Sequence, residues 1–316
     1  MVDIVITEFM DELAVGKLSE TFDTLYDPEL VDDRERLLAE LATARALIVR
    51  NRTKVNDGLL QGAPSLQCVG RLGVGLDNIE VALCRARGVE VYPATGANDL
   101  SVAEYVIAAA LALRRQAFDA TRHVIEGKWP RTDCIGAELA GGTMGLIGFG
   151  SIARAVATRA IALGMDVVAY DPHVSADDHA WSMARNVSLE AVAETSDVVS
   201  VHVPLVEATR HIVDTRLLRM MRKECVLINA ARGGVVDDAA LAMALSEGEI
   251  AGAALDVFET EPLTEEAGRK FRGLQNLILT PHIAGVTYQS NERVSAMIAE
   301  RVAGHLHGEN QGEPSC

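Results

Sequence analysis

The sequence is short of cysteine, of basic residues and of long apolar runs, and each shortage excludes a class of protein. Its five cysteines among 316 residues form no CxxC pair and no spacing typical of a metal site. This excludes a disulfide scaffold, and we expect no bound metal. An odd number of thiols without a disulfide framework is typical of a reducing compartment, so we expect a cytoplasmic protein.

Basic residues are outnumbered by acidic ones. The 29 Lys and Arg residues face 45 Asp and Glu residues, which gives a formal net charge of −16. A surface of this sign repels phosphate backbones and anionic lipid, so we expect no nucleic-acid or membrane partner. An anionic substrate would need a local basic pocket.

No apolar run approaches the roughly 18 residues of a membrane-spanning helix. The best candidate, Val102–Leu113, is interrupted by Glu104. The N-terminal residues MVDIVITEFMDE contain acids where a signal peptide has basic residues. We therefore expect a soluble globular protein, long enough for two domains of roughly 100–200 residues each.

Short β-branched runs alternate with amphipathic stretches along most of the sequence. This pattern is typical of βαβ units, which form a parallel sheet with helices on both faces. The expected strands of the first part are Asp3–Ile6, Ala46–Arg50, Gln67–Gly70 and Val89–Tyr92. Those of the second part are Met144–Ile147, Asp166–Tyr170, Asp197–Val201, Cys225–Asn229, Gly252–Val257 and Asn276–Thr280. Six strands joined by five crossovers make a complete doubly wound sheet.

Two helical segments indicate where the domains meet. The Ala-rich stretch Asn98–Arg115 contains Ser101 and Glu104 at the spacing of a capping box, which predicts a connecting helix. The last segment, Tyr288–His307, has no strand after it, so we expect the chain to return to the first domain. The sequence thus predicts a substrate domain of residues 1–98 and 287–316 and a dinucleotide-binding domain of residues 99–286.

A glycine-rich turn opens the second series of strands. Gly148, Gly150 and Ala153 match the pattern GxGxxG/A between an expected strand and an expected helix. Such a turn lets a pyrophosphate approach the backbone at a helix N-terminus. Asp171 follows the next strand, about 20 residues on, where a carboxylate accepts hydrogen bonds from an adenosine ribose. It would repel a 2′-phosphate, which favours NAD over NADP.

Three polar side chains follow later strands of the same expected sheet. Arg232 lies in Asn-Ala-Ala-Arg-Gly-Gly, Glu261 in Glu-Thr-Glu-Pro, and His282 in Thr-Pro-His-Ile-Ala-Gly. Ligands of doubly wound sheets bind at the carboxyl ends of the strands, so these side chains are expected at one site. An arginine fork suits a carboxylate, and a histidine oriented by a carboxylate suits proton transfer.

The order GxGxxA, Asp171, AARGG, DVFETEP and PHIAG resembles the D-isomer-specific 2-hydroxyacid dehydrogenases, and especially short members similar to 3-phosphoglycerate dehydrogenases. The loop VGRLGVGLDN, from Val69 to Asn78, resembles the substrate loop of that family. The resemblance covers residues from about 45 to 307. It implies a flavodoxin-like substrate domain, a Rossmann NAD-binding domain, an active site in the cleft between them, and a homodimer.

The resemblance also assigns roles to individual residues. Arg232 would bind the substrate carboxylate and carbonyl oxygen, His282 would exchange the hydroxyl proton, and Glu261 would hydrogen-bond His282. Other substrate contacts would come from Arg52, Arg71, Gly73, Val74, Gly75 and Arg131. The expected cofactor contacts are Gly148, Gly150, Ser151, Ile152, Asp171, His202, Val203, Pro204, Thr209, Asn229, Ala230, Ala231, Asp256, His282 and Gly285.

The expected reaction is NAD-dependent hydride transfer at C2 of an (R)-2-hydroxy acid or its 2-oxo acid. The loop from Arg71 to Gly75 favours a substrate with a second anionic group, of the 3-phosphoglycerate, sulfolactate or glycerate type. Ile-Ala-Gly after His282 and ATGAND at residues 94–99 differ from the phosphoglycerate group, so the individual acid stays open. The alternatives are an NAD-sensing protein similar to corepressors of this family and a formate or phosphite dehydrogenase.

Overall fold

The computed structural model describes residues 2–308 and divides the chain into two compact α/β units. Unit 1 consists of the residues up to Asn98 together with those from Val286 onward, and unit 2 is Asp99–Gly285. Unit 2 is therefore inserted into unit 1. The second boundary lies one residue earlier than the sequence predicts.

The twelve strands of the described residues are β1 Ile4–Ile6, β2 Thr24–Tyr26, β3 Ala46–Val49, β4 Cys68–Arg71, β5 Glu90–Pro93, β6 Thr143–Ile147, β7 Asp166–Tyr170, β8 Arg185–Asn186, β9 Val198–Val201, β10 Val226–Asn229, β11 Gly252–Leu255 and β12 Leu277–Leu279. The α-helices there are α1 Glu12–Ser19, α2 Arg34–Leu41, α3 Asp57–Gln61, α4 Val81–Ala86, α5 Asp99–Arg115, α6 Thr121–Ile125, α7 Ser151–Ala162, α8 Leu189–Thr195, α9 Thr215–Met220, α10 Asp238–Glu247, α11 Glu265–Gly268 and α12 Tyr288–Leu306. Strands and helices alternate through most of both units, as the pattern predicts.

The sheet of unit 1 has the strand order β2-β1-β3-β4-β5, and all its pairs are parallel. This is the flavodoxin-like order of a doubly wound sheet, which confirms the expected fold. β2 was not predicted. Its three residues are all only half-buried, so they lack the continuous apolar run by which the interior strands are recognised.

The sheet of unit 2 has the order β12-β11-β10-β9-β6-β7-β8, again with parallel pairs throughout. The direction of winding reverses between β6 and β9, which is the switch point of a Rossmann fold. The prediction of six strands was wrong by one, because β8 is a two-residue edge strand of exposed Arg and Asn.

Helix α5 belongs to unit 2, where Val102, Val106 and Ala110 are buried in its core. It begins at Asp99, and Ser101 lies buried in its first turn. The predicted capping box at Ser101 was therefore wrong: its spacing occurs inside the helix, where the apolar periodicity had already begun.

Helix α12 returns to unit 1, as the sequence predicts. Val294, Ile298 and Val302 are buried there against β1, β3 and β4. The side chain of Thr287 caps the helix by accepting a hydrogen bond from the Ser290 N–H at 3.0 Å. Part of the core of unit 1 thus comes from a segment that is separated from the rest by the whole of unit 2.

No helix among the described residues is long and apolar enough to cross a membrane. Within residues 2–308 no group of His, Cys, Asp and Glu is placed to hold a metal ion. Cys68, Cys84, Cys134 and Cys225 are free thiols. Cys316 lies outside the described residues.

Candidate active site

The glycine-rich turn joins β6 to α7 in unit 2. Gly148 has a φ of +91°, and a Cβ there would lie 2.6 Å from the His202 carbonyl oxygen. Gly150 is the N-cap of α7 without a side-chain cap, and a Cβ on it would meet nothing within 4 Å. The backbone N–H groups of Ser151 and Ile152, in the first turn, donate to none of the described residues. This fits a bound pyrophosphate.

Asp171 lies beside this turn, directly after β7. Its Oδ2 accepts a hydrogen bond from the Phe149 N–H at 2.8 Å, and its Oδ1 accepts one from the His173 N–H at 2.9 Å. The side chain is half-buried. Since each carboxylate oxygen has a further lone pair, Asp171 can still accept hydrogen bonds from two hydroxyl groups of a ribose.

The residues after β9, next to β6 in the sheet, form a compact turn. Thr209 Oγ1 donates to the Pro204 carbonyl at 2.6 Å and accepts from the Val206 N–H at 2.9 Å. His202 Nε2 lies 2.9 Å from Ser200 Oγ, and burial lowers the pKa of His202 to about 4. His202 is therefore neutral at neutral pH. A Cβ added to Gly148 would lie 2.9 Å from Cγ1 of Val203, the next residue, so the two turns are in close contact.

Arg232 is held by the residue that ends β10. Asn229 is 1% exposed, and its side-chain amide accepts a hydrogen bond from the Ala231 N–H and donates one to the Arg232 carbonyl, both at 3.0 Å. Arg232 Nη1 donates to the Ala231 carbonyl at 2.6 Å. A Cβ on Gly233 would lie 1.7 Å from the Phe258 carbonyl oxygen, so only glycine lets these two loops touch.

Glu261 and His282 form the pair that the sequence predicts. Glu261 Oε2 lies 2.7 Å from His282 Nδ1, and Glu261 Oε1 accepts a hydrogen bond from the Phe258 N–H at 3.0 Å. Burial raises the pKa of Glu261, but the hydrogen bonds from His282 and Phe258 outweigh it, so this pKa is below its ordinary value. Since Nδ1 is engaged, His282 has Nε2 left for a substrate, and its side chain is 51% exposed.

The loop that carries His282 is fixed by Asp256, which follows β11 and is 1% exposed. Its Oδ1 accepts a hydrogen bond from the Ile283 N–H and its Oδ2 one from the Ala284 N–H, both at 2.8 Å. The His282 N–H donates to the Asp256 carbonyl at 2.8 Å. His282 itself has a φ of +52°. The sequence predicts Asp256 as a cofactor contact; the structure engages its carboxylate in holding this loop.

In unit 1 the expected substrate loop begins at the end of β4. The Gly73 N–H donates to the Arg71 carbonyl at 2.7 Å, and Arg71 Nη1 donates to the Leu72 carbonyl at 2.9 Å. The N–H groups of Val74 and Gly75 donate to none of the described residues. Two of the three backbone donors that the sequence predicts for a carboxylate are thus open.

Arg52 lies on another loop at the same edge of that sheet, after β3. Its Nη2 lies 2.5 Å from Asp32 Oδ1, and both side chains are more than half exposed. An exposed pair of this kind contributes little, so Arg52 can exchange Asp32 for a stronger anionic partner. Its role as a substrate contact stays a prediction.

Glu8, which the sequence analysis did not single out, holds the loop that contains Arg52. Its Oε1 accepts hydrogen bonds from the N–H groups of Arg50 and Thr53, and its Oε2 from those of Asn51 and Arg52, at 2.9 to 3.1 Å. Burial raises the pKa of Glu8, but these four hydrogen bonds outweigh it and lower the pKa. A lone glutamate after a short strand gives no signal of this role.

Arg131 is exposed, and no hydrogen bond among the described residues of unit 2 joins it to Arg232 or His282. Its neighbour Pro130 lines a cavity of about 1310 Å³ together with Val226 and Leu277, the first residues of β10 and β12. This cavity lies at the amino ends of the strands, whereas Arg232 and His282 follow the carboxyl ends. The structure therefore does not bring Arg131 to the candidate site of its own chain.

Comparison with known proteins agrees with this geometry. The family model described as "D-isomer specific 2-hydroxyacid dehydrogenase, NAD binding domain" matches residues 107–284, which covers the glycine-rich turn, Arg232, Glu261 and His282.

Named relatives extend the similarity over nearly the whole chain. An (S)-sulfolactate dehydrogenase from Chromohalobacter salexigens is 52% identical over 96% of this chain and 97% of its own. A hydroxypyruvate reductase from Thermotoga maritima is 38% identical over 85% of this chain and 87% of its own. The crystal structure of a D-lactate dehydrogenase from Aquifex aeolicus, complexed with NAD and lactic acid, is 28% identical with a TM-score of 0.85, covering 99% of this chain and 100% of that one.

Proposed function

Because the chain belongs to the D-isomer-specific 2-hydroxyacid dehydrogenase family and is an NAD-dependent oxidoreductase, we propose that it interconverts sulfolactate and its 2-oxo acid, with Arg232, Glu261 and His282 as the catalytic residues. The 2.7 Å contact between Glu261 Oε2 and His282 Nδ1 is the observation that carries this proposal. The choice of substrate is supported by the 52% identity to the Chromohalobacter enzyme.

The (S) descriptor of sulfolactate is compatible with a D-specific enzyme. In lactate the carboxylate ranks above the methyl group, and the D isomer is (R). In sulfolactate the carbon that carries sulfur ranks above the carboxylate, so the same spatial arrangement is named (S). The expected (R) descriptor for simple 2-hydroxy acids and the (S) descriptor for sulfolactate therefore describe one geometry.

His282 performs the proton transfer in the proposed reaction. NAD, when bound along Gly148, Gly150 and Asp171, supplies the acceptor or donor of the hydride. During oxidation Nε2 of neutral His282 accepts the hydroxyl proton, and the Glu261 carboxylate stabilises the imidazolium that results. During reduction the protonated ring returns that proton. Arg232 orients the substrate by presenting its planar fork to the carboxylate and to the C2 oxygen.

Unit 1 would recognise the remaining anionic groups. The open N–H groups of Val74 and Gly75 suit the carboxylate, and Arg71 and Arg52 suit a distal sulfonate. A net charge of −16 makes a local group of cations necessary for a dianionic substrate.

A panel of 2-hydroxy acids, followed by NADH absorbance, tests the substrate. We expect the highest kcat/KM with (S)-sulfolactate, ahead of 3-phosphoglycerate, glycerate and D-lactate. A clear preference for another acid would overturn the choice of substrate but not the reaction. If no acid of the panel turns over, the choice of substrate is overturned as well.

Substitution of His282 tests the chemistry. We expect His282→Ala to lower kcat by roughly 10²- to 10⁴-fold, the usual contribution of a general acid–base group, with NADH affinity nearly unchanged. His179→Ala, at an exposed histidine of the same unit, is the matched control and should keep wild-type turnover. Near wild-type turnover of His282→Ala would contradict the assignment.

The two directions of the reaction should also depend on pH in opposite ways. Oxidation requires neutral His282 and should become faster as the pH rises, whereas reduction requires the protonated ring and should become slower. Parallel slopes in the two directions would contradict a single residue that both accepts and donates the proton.

We also propose that the protein is a cytoplasmic homodimer. Phe118, Ile125, Trp129 and Ile135, all within one segment of unit 2, are 68 to 81% exposed, and a cluster of exposed apolar side chains is typical of an interface. Light scattering should give about twice the chain mass of 33.8 kDa; a value near 33.8 kDa at micromolar concentration would contradict the dimer. The four free thiols support a reducing compartment.

A further inference from the structure

A chain of hydrogen bonds in unit 2 connects helix α5 to the loop that carries His282. The hydroxyl of Tyr105, on α5, lies 2.7 Å from Thr280 Oγ1. Thr280 Oγ1 donates to Asp256 Oδ1 at 2.6 Å. Asp256 in turn accepts hydrogen bonds from the N–H groups of Ile283 and Ala284, which flank His282 on its C-terminal side. Among the residues joined by these hydrogen bonds, only Asp256 was part of the expected site.

The direction of each hydrogen bond follows from the number of protons available. Thr280 has one hydroxyl proton, which it donates to the carboxylate of Asp256. Tyr105 must therefore be the donor to Thr280. Burial raises the pKa of Tyr105, so its hydroxyl keeps its proton at neutral pH and stays a donor. The series then runs in one direction, from Tyr105 through Thr280 to Asp256.

We propose that Tyr105 is a positioning residue for His282, acting through Thr280 and Asp256. The inference rests on the proposed function, in which His282 exchanges the substrate proton. Tyr105 does not touch the reacting atoms. It fixes the orientation of the Asp256 carboxylate, and this carboxylate fixes the loop.

The surroundings explain why a tyrosine in this place can act on a loop so far along the sequence. The Tyr105 ring packs against the core formed by α5, α7 and the sheet, so its hydroxyl is held by a rigid element. His282 has a φ of +52°, a conformation that residues other than glycine rarely adopt and that the surrounding contacts must impose. A loop held in this way moves when one of its few anchors is lost, and proton transfer is sensitive to small displacements.

Removal of the Tyr105 hydroxyl is the first test. Tyr105→Phe should lower kcat roughly 3- to 10-fold, while the dissociation constant of NADH, measured by its fluorescence, stays within about 2-fold of wild type. Tyr92→Phe is the matched control, because it removes another half-buried tyrosine hydroxyl, bonded to His305 at 2.9 Å in unit 1. The control should show a similar change of melting temperature and unchanged kcat. Equal kcat for Tyr105→Phe and wild type would overturn the inference.

Substitution of Thr280 tests whether the hydrogen bonds act in series. Thr280→Val removes the hydroxyl at nearly constant volume and should lower kcat at least as much as Tyr105→Phe, whereas Thr280→Ser keeps the hydroxyl and should restore most of it. In the Thr280→Val background the additional change Tyr105→Phe should have no further effect on kcat. Additive effects of the two substitutions would contradict a series.

A His282→Ala background separates positioning from general loss of structure. If Tyr105 acts through His282, Tyr105→Phe should leave the residual rate of His282→Ala unchanged. A further decrease of the same size as in wild type would show a structural effect and overturn the inference. The proposed function fails on a different result, namely undiminished turnover of His282→Ala alone.

Discussion

Glu8 in unit 1 and Asp256 in unit 2 are buried carboxylates with the same position and different connections. Each follows a parallel strand and holds a loop at the carboxyl edge of its sheet; their exposed fractions are 5% and 1%. Glu8 accepts four hydrogen bonds, all from backbone N–H groups of one loop. Asp256 accepts two from the backbone and one from the Thr280 hydroxyl.

The difference predicts what each carboxylate contributes. The donors to Glu8 are consecutive residues, so the orientation of the Glu8 carboxylate depends on that loop alone. Substitution of Glu8 should therefore mainly lower the free energy of unfolding. One donor to Asp256 is a side chain that depends on α5, so its orientation depends on another element. Its loss should appear mainly in turnover, because the loop that it holds carries His282.

Among the carboxylates, the largest effect on turnover is expected for Asp256→Asn. The new amide would place an NH₂ group against a backbone N–H of Ile283 or Ala284 and leave that donor unpaired in a buried place. We expect kcat to fall on the order of 100-fold in the NADH assay, which corresponds to about 2.7 kcal/mol of transition-state stabilisation. Circular dichroism should show a folded protein. A folded variant with near wild-type kcat would contradict the expectation that loss of the Asp256 carboxylate lowers turnover.

A different effect, on stability and not on turnover, is expected for Glu8→Gln. The amide can replace one oxygen, but its NH₂ group faces two backbone donors, so the free energy of unfolding should fall by about 2–3 kcal/mol. Denaturant titration measures this change, with Glu12→Gln, at an exposed position of α1, as the control. The kcat per folded molecule should stay near the wild-type value. A 100-fold loss of kcat would show that Glu8 affects turnover as much as Asp256 does and would contradict the difference between them.

The lowered pKa of Glu8 predicts that its contribution to the free energy of unfolding depends on pH. Because its folded pKa is lowered below the ordinary value of 4.5, Glu8 contributes its full stability above that value and loses it as the pH falls through the folded pKa. The free energy of unfolding of the wild type should therefore decrease below about pH 4.5. Glu8→Gln should show a shallower decrease in this range, and identical pH dependence of the two proteins would contradict the role of Glu8.

Asp171 is the partly exposed counterpart of these two carboxylates, and its substitution should have the smallest effect. It accepts two backbone hydrogen bonds, from Phe149 and His173, and keeps lone pairs for a ligand. We expect Asp171→Ala to narrow the preference for NAD over NADP by roughly tenfold, since a partly screened charge repels the 2′-phosphate by about 1–3 kcal/mol. A wild-type kcat/KM higher with NADP would contradict the role of Asp171.

The sequence was sufficient to predict which residues of the candidate site follow the strands of a parallel sheet. The glycine-rich turn, Arg232, Glu261 and His282 all follow strands, and in parallel sheets the carboxyl ends of strands meet at one edge. Local sequence patterns were less reliable for the start of a helix and for an edge strand. The spacing of Ser101 and Glu104 suggests a cap but lies inside α5, and β8 is too short to leave a pattern.

The contacts that hold the site could not be predicted, because no periodicity relates the residues that make them. Tyr105 and Thr280 are 175 residues apart in the sequence. Glu8 meets its donors 42 to 45 residues later. Arg52 has the charge to bind a distal anion, but only the fold shows that its guanidinium already forms an ion pair with Asp32. Such contacts depend on how side chains fill the space between elements, which single residues do not encode.

The insertion of unit 2 into unit 1 has a consequence for biosynthesis. Every residue of unit 2 has been synthesised once Gly285 is made, whereas unit 1 still lacks α12, which supplies Val294, Ile298 and Val302 to its core. During synthesis, unit 1 therefore lacks these core residues while the whole of unit 2 is translated. All residues of unit 2 are thus available before the core of unit 1 is complete, and the unit that begins the chain is the last to receive all its residues.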